Sequence, residues 1–324
     1  MDTEIKKINE FNLNERVEGY FMIKSSECRT STNSKQYLDM DLGDKTGEIN
    51  AKYWNMNEGE DKIYIPNTIV KIRGLVTSWQ NNVQFKIEKI RVVNESDDIQ
   101  IEDYVPSAPY KPEEMFNDVM EFLKKIENED IKNIAEYIVD ENKVKLMHFP
   151  AAKKNHHAIR GGLLYHTTTM LKAAEKLSEV YTFLNTDLLY AGVILHDMAK
   201  MQEMLSSEFG VVSEYTIEGQ LLGHIIQGIK NIEVVASGLG IDKEVTMLLQ
   251  HMVLSHHYEA EYGSPKKPMI PEAQMLHYLD TLDASMYDMK KALNDTKEGE
   301  FSDSIYSLER RRIYKPSFSS KNGV

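Results

Sequence analysis

Cysteine and long apolar runs are almost missing from this chain of 324 residues. The single cysteine, Cys28, excludes an intrachain disulfide and gives no support for a thiol-based metal site. No segment approaches the ~18 consecutive apolar residues that a membrane-spanning helix needs. The first residues, MDTEIKKINEFNLNE, are polar and acidic and lack the apolar core of a signal peptide. We therefore expect a cytoplasmic protein with no membrane partner.

Positive charge is also in deficit, because the formal net charge is −13. Such a balance argues against a nucleic-acid-binding protein when it is spread evenly. Here residues 1–94 carry 14 basic and 14 acidic side chains, so the whole deficit lies in the remainder of the chain. The first part can therefore still bind a polyanion, and the acidic second part suits a cation site.

Histidine is absent from the first 147 residues, and all ten histidines lie between His148 and His277. The first part shows strand alternation instead, as in YLDMDL and NVQFKIEKI, with turn residues such as GDKTG between the apolar runs. About five short strands precede residue 94, at the spacing of a small antiparallel barrel. The sequence thus predicts a multidomain protein that begins with an all-β barrel over residues 1–94.

The rest of the chain is predicted to be all-α. The acidic, proline-containing stretch 95–112 is typical of a linker, residues 113–300 form a helical bundle, and 301–324 form a polar, basic tail. Apolar periodicity predicts helices near 113–127, 130–141, 163–181, 186–200, 218–238, 243–258 and 271–293.

The helical part holds imidazoles and carboxylates at positions that face the core. In ILHDMAK, His196 and Asp197 follow an apolar stripe, and a buried carboxylate is costly unless something pairs with it. A lone histidine of this kind is more often a hydrogen-bonded core residue. Here several helices each supply one or more such groups, which indicates a site for one or two divalent metals. The others are His166, His224, His251, His256, His257, His277, Asp280 and Asp283.

The order of these motifs resembles the HD superfamily of metal-dependent phosphohydrolases. The wider pattern is more specific, because DKTGEINAKYW, VKIRGLV, HHAIRGGLLYHT, ILHDMAK and LSHHYEAEYGSP resemble, in that order, the YhaM-type 3′–5′ exoribonucleases of Gram-positive bacteria. The resemblance covers nearly the whole chain apart from the tail. It implies an OB-fold barrel followed by an HD-domain helical bundle.

The resemblance also implies roles for particular residues. Asp197 would bridge two metals and, with Lys200 near the phosphate, take part in catalysis. Asp280 is preferred to Asp283 because the first aspartate of LDTLDA matches the family motif better. His251 is an alternative ligand, and His156, His157 and Arg160 are candidates for phosphate contacts, with surface or capping roles open for the two histidines. The implied metal ligands are His166, His196, Asp197, His224, His256, His257 and Asp280.

The implied reaction is metal-dependent 3′–5′ digestion of single-stranded RNA to nucleoside 5′-monophosphates. A bound metal lowers the pKa of water to about 7, which makes hydroxide available for attack on phosphorus. Two Mn²⁺ ions come from the resemblance, and ligand chemistry leaves Fe, Co, Ni and Zn open. Action on single-stranded DNA and assembly into a homo-oligomer also stay open. Base stacking and backbone contacts in the barrel are assigned to Tyr37, Tyr53, Trp79 and Lys52.

Two other functions remain alternatives. One is an HD phosphodiesterase that acts on cyclic dinucleotides or small nucleotides. Against it, the GYP tripeptide of that subgroup is replaced by Tyr262-Gly263-Ser264-Pro265, and the subgroup does not normally carry a leading OB-fold. The other is a non-catalytic single-strand-binding or scaffold protein with a degenerate HD domain. A missing ligand would be its signature, and none of the principal positions is missing.

Overall fold

The computed structural model describes residues 5–318 except 81, 95, 98 and 155. The chain divides between Pro106 and Ser107 into two compact units. This boundary falls inside the stretch 95–112 that the sequence predicts as a linker. Part of that stretch is regular, since Ile101–Asp103 forms a short 3-10 helix.

The first unit is a closed five-stranded barrel, as the sequence predicts. Strand order around it is β1-β2-β3-β5-β4. All neighbours pair in an antiparallel way except β3 and β5, which are parallel, so the barrel is mixed and not wholly antiparallel. The strands are β1 Arg16–Thr30, β2 Gln36–Asp44, β3 Gly47–Tyr53, β4 Ile69–Trp79 and β5 Asn82–Val92.

Alternation decides which side chains fill the barrel. Leu38, Met40 and Leu42 are buried, as the pattern of β2 predicts, and Phe85 is fully buried in β5. Val83 departs from the prediction, because it lies beside the β4–β5 turn and is 54% exposed. The barrel core is therefore built from alternating residues of all five strands, whereas the last residues of β1 and the β4–β5 turn project side chains to solvent.

The second unit is a helical bundle. Helix α4 lies at its centre and packs against α2, α3, α7 and α8. A small hairpin of β6 Met204–Ser206 and β7 Val212–Tyr215 precedes α6. No helix in the described part of the chain is long and apolar enough to cross a membrane. The helices are α1 Pro112–Lys124, α2 Glu129–Leu146, α3 Gly162–Val180, α4 Thr186–Leu195, α5 Lys200–Glu203, α6 Ile217–Leu239, α7 Lys243–Ser255 and α8 Pro271–Asn294.

The predicted helix 186–200 is the main difference from the sequence analysis. Helix α4 ends at Leu195, and residues 196–199 form turns before the short α5. The His196 ring explains this end, because its Nδ1 lies 2.8 Å from the Val193 carbonyl oxygen. In a continuing helix, that carbonyl would accept from the backbone N–H of Asp197.

The polar, basic tail predicted after residue 300 forms defined contacts within residues 301–315. Phe301 pairs with Tyr314 and Ile305 with Arg311 through isolated β-bridges. Leu308 is only 4% exposed, so it is anchored by packing and not merely by polar contacts. Residues 319–324 of the predicted tail lie outside the described residues.

Candidate metal centre

The centre of the helical bundle brings together the imidazoles and carboxylates that the sequence singled out. Asp197 lies between two groups of histidines whose ligand atoms all come within 4.8 Å of one another inside each group. The first group is Asp197 with His166 and His196. The second group is Asp197 with His224, His256 and His257.

The two carboxylate oxygens of Asp197 face different groups. Oδ2 lies 3.4 Å from His196 Nε2 and 3.9 Å from His166 Nε2. Oδ1 lies 3.4 Å from His224 Nε2 and 3.8 Å from His256 Nε2. This geometry matches a carboxylate that bridges two cations, with one oxygen for each.

The inward-facing atoms of this cluster are buried without hydrogen-bond partners. They include Asp197 Oδ1 and the Nε2 atoms of His166, His196, His224 and His256, for which the described residues supply no partner. Buried polar atoms in proteins are nearly always satisfied, so a convergent set of unsatisfied acceptors requires an explanation. Imidazole nitrogen and carboxylate oxygen suit divalent transition metals, and the residues therefore fit the implied metal pair.

Each histidine is oriented through its other ring nitrogen, Nδ1. The Nδ1 atoms of His196, His256 and His257 lie 2.8, 2.7 and 2.6 Å from the backbone carbonyl oxygens of Val193, Val253 and Tyr262. A ring that donates from Nδ1 to a carbonyl keeps Nε2 deprotonated and available to a cation.

The two aspartates of LDTLDA occupy different positions relative to His166. Asp280 Oδ1 lies 3.3 Å from Nε2, on the inward side of the ring. Asp283 Oδ2 lies 2.7 Å from Nδ1, on the outward side, and also 2.7 Å from His157 Nε2. Asp280 is therefore the better candidate ligand, and Asp283 orients the His166 ring.

His157, His166 and Asp283 also lie close enough together to form a third potential metal group. The two 2.7 Å contacts are ordinary hydrogen bonds from ring N–H groups to a carboxylate, so no ion is needed to explain them. Burial raises the pKa of Asp283, but His157 and His166 outweigh it and lower that pKa.

The electrostatics of the cluster are dominated by these contacts. Burial lowers the pKa of His166, yet Asp280 and Asp283 outweigh this effect and raise it to about 10. His256 shows the opposite balance, because burial and then the neighbouring histidines hold its pKa well below the ordinary value. Protons and metal ions compete for the same ring nitrogens, so metal binding at His166 is coupled to proton release.

Lys200 lies at the centre and is not a solvated helix end. Its Nζ donates to Asp197 Oδ2 at 2.6 Å, and its side chain is 13% exposed. Burial lowers the pKa of this lysine, but the charge of Asp197 outweighs that and raises the pKa. Lys200 therefore stays a cation beside the Asp197 carboxylate.

One supporting residue has no signal in the sequence. Glu203 Oε1 accepts from the backbone N–H of His224 at 3.1 Å and lies 3.3 Å from His224 Nδ1. The contact depends on Gly223, whose φ of 69° and ψ of 165° interrupt helix α6. Because that kink arises from glycine in the left-handed region, periodicity alone could not reveal that Glu203 meets His224.

Other sequence candidates lie elsewhere. His251 Nε2 accepts from the backbone N–H of Met269 at 2.9 Å, so this histidine does not join the cluster. Arg160 donates from Nε to the Glu208 carbonyl oxygen and does not line the cavity described below. His156 does line that cavity, and burial followed by the charge of Lys200 lowers its pKa to about 4.

A cavity of about 700 Å³ opens beside the cluster. Its walls include Lys200, His224, His257 and Asp280, so a molecule inside it reaches the second histidine group directly and the first through Asp280, which lies beside His166. The volume is in the usual range for a small-molecule or nucleotide site.

The barrel separately presents aromatic and basic side chains on its outer surface. Tyr37 and Trp54 stack with ring centroids 4.2 Å apart, and Lys52 Nζ lies 6.0 Å from the Tyr37 ring centre. Trp79, at the end of β4, is 66% exposed. The predicted stacking role of Tyr53 is wrong, because this residue is buried in the barrel core against Tyr64 and does not offer a ring face to a base.

Strand pairing places these groups on one face. Lys52 of β3 is opposite Lys86 of β5, and Thr77 of β4 is opposite Gln84. Trp79 is two residues beyond Thr77, so it projects to the same side. The face therefore runs from the Tyr37–Trp54 stack across two lysines toward Trp79.

Fold and centre together define an HD-domain protein with an N-terminal OB-fold. Family models agree, since residues 163–285 match the HD domain and residues 21–93 match an OB-fold nucleic acid binding domain. Among solved structures, the second OB-fold domain of replication protein A from Methanococcus maripaludis aligns at 14% identity. It covers 29% of this chain and 100% of that chain with a TM-score of 0.23, too low to support a conclusion.

Curated relatives are similar over nearly the full length. The 3′–5′ exoribonuclease YhaM of Geobacillus sp. (strain WCH70) is 43% identical over 97% of this chain and 96% of its own. YhaM of Bacillus subtilis (strain 168) is 41% identical over 94% of this chain and 96% of its own. The chain therefore belongs to the YhaM family of 3′–5′ exoribonucleases.

Proposed function

We propose that this protein is a metal-dependent 3′–5′ exoribonuclease that acts on single strands and releases nucleoside 5′-monophosphates. The observation that carries the proposal is Asp197, whose two oxygens face two separate groups of unsatisfied imidazoles. The family supports the direction and the substrate, since the relatives are named 3′–5′ exoribonucleases.

The first cation would be held by His166, His196, Asp197 and Asp280, and the second by Asp197, His224, His256 and His257. A pair of divalent cations supplies an activated water and neutralises charge on the phosphate. We propose Mn²⁺ on the ground of family resemblance, and the donor set suits Fe, Co, Ni and Zn as well.

The side chains around these ligands hold the site in one geometry. Asp283 and Glu203 fix the rings of His166 and His224 from outside. Lys200 adds a buried positive charge at Asp197 Oδ2, where it can meet a phosphate oxygen. Because the cluster is almost fully buried, charge interactions there are screened weakly.

The outer face of the barrel would bind the single-stranded RNA. Stacking on an aromatic ring contributes about 1–3 kcal/mol per base and tolerates every base, which suits a nuclease without sequence preference. We assign stacking to Trp79 and to the Tyr37–Trp54 pair, and backbone contacts to Lys52 and Lys86. Duplex RNA would be a poor substrate because its bases are paired and cannot reach these rings.

The decisive experiment is digestion of end-labelled single-stranded RNA with and without Mn²⁺. A 5′-labelled strand should give a descending ladder, and a 3′-labelled strand should lose its label at once as a mononucleotide. Asp197→Ala should abolish both results and lower the bound metal. His251→Ala is the matched control, because this histidine lies outside the cluster, and it should retain activity.

Several outcomes would contradict the proposal. Cleavage of circular RNA as fast as linear RNA would exclude an exonuclease, and full activity of Asp197→Ala would exclude the metal pair. Faster hydrolysis of a cyclic dinucleotide than of RNA would favour the phosphodiesterase alternative. A parallel reaction with single-stranded DNA determines whether the sugar matters, and light scattering determines whether the protein is a homo-oligomer.

A further inference from the structure

The residues after helix α8 form a defined element that we call the C-terminal strap, residues 301–315. The strap folds back on itself, because Phe301 pairs with Tyr314 and Ile305 with Arg311. A hydrogen bond also joins the two halves of the strap, since the backbone N–H of Ser302 donates to the Ile313 carbonyl oxygen at 2.8 Å.

The strap is fastened to α8 at two places. Lys315 Nζ donates to the carbonyl oxygens of Leu293 and Thr296 at 2.8 and 2.9 Å, at the end of the helix. Ser307 Oγ donates to Asp288, further up the helix. Between these points Leu308 is 4% exposed, so its side chain is held against the bundle.

Both the metal centre and the strap border the same cavity. Asp280, Thr281, Ala284, Ser285 and Asp288 line the cavity along one side of α8, and Ser307 and Leu308 line it from the strap. Eight residues of helix separate Asp280 from Asp288, which corresponds to about 12 Å at 1.5 Å per residue. Because Ser307 contacts Asp288, the strap lies about two helical turns away from the level of the metal centre.

The side chains between these two ends are small. Ala284 and Ser285 leave space along α8, whereas Leu308 supplies bulk at the strap. A terminal nucleotide whose phosphate lies at the metal centre would extend along Ala284 and meet Leu308. A second nucleotide beyond it would require the space that Leu308 occupies.

We propose that the C-terminal strap is the end wall of the nucleotide pocket and that Leu308 limits the product to one nucleotide. This inference rests on the proposed exonuclease function and adds what sets the size of each step. It assigns a specificity role to a segment that the sequence indicates only as a polar tail.

The test compares two opposite changes of pocket depth in the full-length protein loaded with Mn²⁺. Leu308→Ala deepens the pocket, and with 3′-labelled RNA it should release labelled dinucleotides beside mononucleotides. Ala284→Leu shortens the pocket. Alanine and leucine are both good helix formers, so we expect α8 to fold in this variant. It should lower kcat/KM for RNA by about tenfold or more, since a pocket discriminates at least this strongly against excess bulk.

Two comparisons separate a pocket effect from a structural one. Hydrolysis of the small diester methyl p-nitrophenyl phosphate should stay within about twofold in both variants, because it leaves the far end of the pocket empty. Tyr306→Ala is the control on the strap itself, since this ring is 84% exposed and does not line the cavity. It should release only mononucleotides at the parental rate.

The proposal is overturned if both variants release only mononucleotides with parental kcat/KM for RNA. If Leu308→Ala fails to fold, Ala284→Leu decides alone, and a parental kcat/KM overturns the proposal. If the parent protein leaves RNA intact, this result contradicts the proposed exonuclease function but not the proposal that the strap is the end wall of the pocket. In that case competitive inhibition of diester hydrolysis by adenosine 5′-monophosphate tests the wall, and equal inhibition of parent and Ala284→Leu overturns it.

Discussion

The different positions of Asp280 and Asp283 lead to a quantitative prediction. Both aspartates come from the same helix and both lie near His166, but Asp280 faces Nε2 and Asp283 faces Nδ1. If this geometry is correct, Asp280→Asn removes a metal ligand, whereas Asp283→Asn removes only the group that orients a ligand.

The expected magnitudes differ for a physical reason. Loss of an outer hydrogen-bond partner of a metal ligand typically lowers metal affinity about 10- to 100-fold, which is about 1.4–2.7 kcal/mol. The loss of metal affinity in Asp283→Asn should be close to the tenfold end of this range, because the remaining amide oxygen can still accept a hydrogen bond from His166 or from His157. Asp280→Asn should lose more than about 100-fold, because it removes both a ligand and its negative charge.

The assay is titration of each purified variant with Mn²⁺, followed by RNA hydrolysis at increasing Mn²⁺ concentration. Asp283→Asn should recover most of its activity at high Mn²⁺, and Asp280→Asn should not. Asp140→Asn, an exposed aspartate on α2, is the matched control and should titrate as the parent does. The reverse pattern, with Asp280→Asn rescued and Asp283→Asn inactive, would refute the assignment.

Three further predictions follow from single contacts. Glu203→Gln should weaken binding of the second cation and raise the Mn²⁺ concentration needed for activity, without changing kcat at saturating Mn²⁺. A lower kcat with an unchanged Mn²⁺ dependence would contradict this prediction. Trp79→Ala should raise KM for RNA about tenfold if one base stacks there, since ~1.4 kcal/mol is a factor of ten, and equal KM values would exclude stacking. Burial raises the pKa of Asp39, but contacts with Lys52, Asn50 and Arg29 outweigh burial and lower that pKa. The ionised Asp39 therefore stabilises the fold at a pH above the pKa of the unfolded state, and this stabilisation is lost as the pH falls through the pKa of the folded state. Asp39→Asn should therefore lower Tm at pH 7, and this loss should shrink steadily as the pH falls below the unfolded pKa of about 4. A loss that stays the same over the whole acidic range would contradict this.

Much of the architecture could be predicted because it follows from periodicity. The five strands and the seven longer helices have apolar residues at the spacing of their secondary structure, and the structure places them close to the predicted positions. Helix α2 continues to Leu146, five residues beyond its predicted end, since its last turns are exposed and carry little apolar signal. Burial of alternating residues likewise predicted Leu38 and Met40 in the core.

The individual roles at the centre were harder to predict because they depend on turns and on side-chain direction. Tyr53 belongs to the inward set of β3 with Ile49 and Ala51, an alternation that the choice of candidates by aromatic residue type did not take into account. The contact of Glu203 with His224 depends on the Gly223 kink. The strap was hidden because a polar, basic sequence gives no clear apolar period, although Leu308 is buried and the hydrogen bonds of Ser307 and Lys315 hold the segment to α8.

The acidic character of the helical unit is consistent with a cation pair when the charges at the centre are counted. Four carboxylates, those of Asp197, Glu203, Asp280 and Asp283, lie on or next to the proposed ligands, and Lys200 adds one positive charge. Two divalent cations would leave the centre with a single positive charge, which a phosphodiester can neutralise. Helices α4 and α7 both end at the centre, and the negative ends of their dipoles favour cations there. These two cations would offset four of the 13 net negative charges, and the barrel region, with 14 basic and 14 acidic side chains in residues 1–94, presents no net negative charge to an RNA substrate.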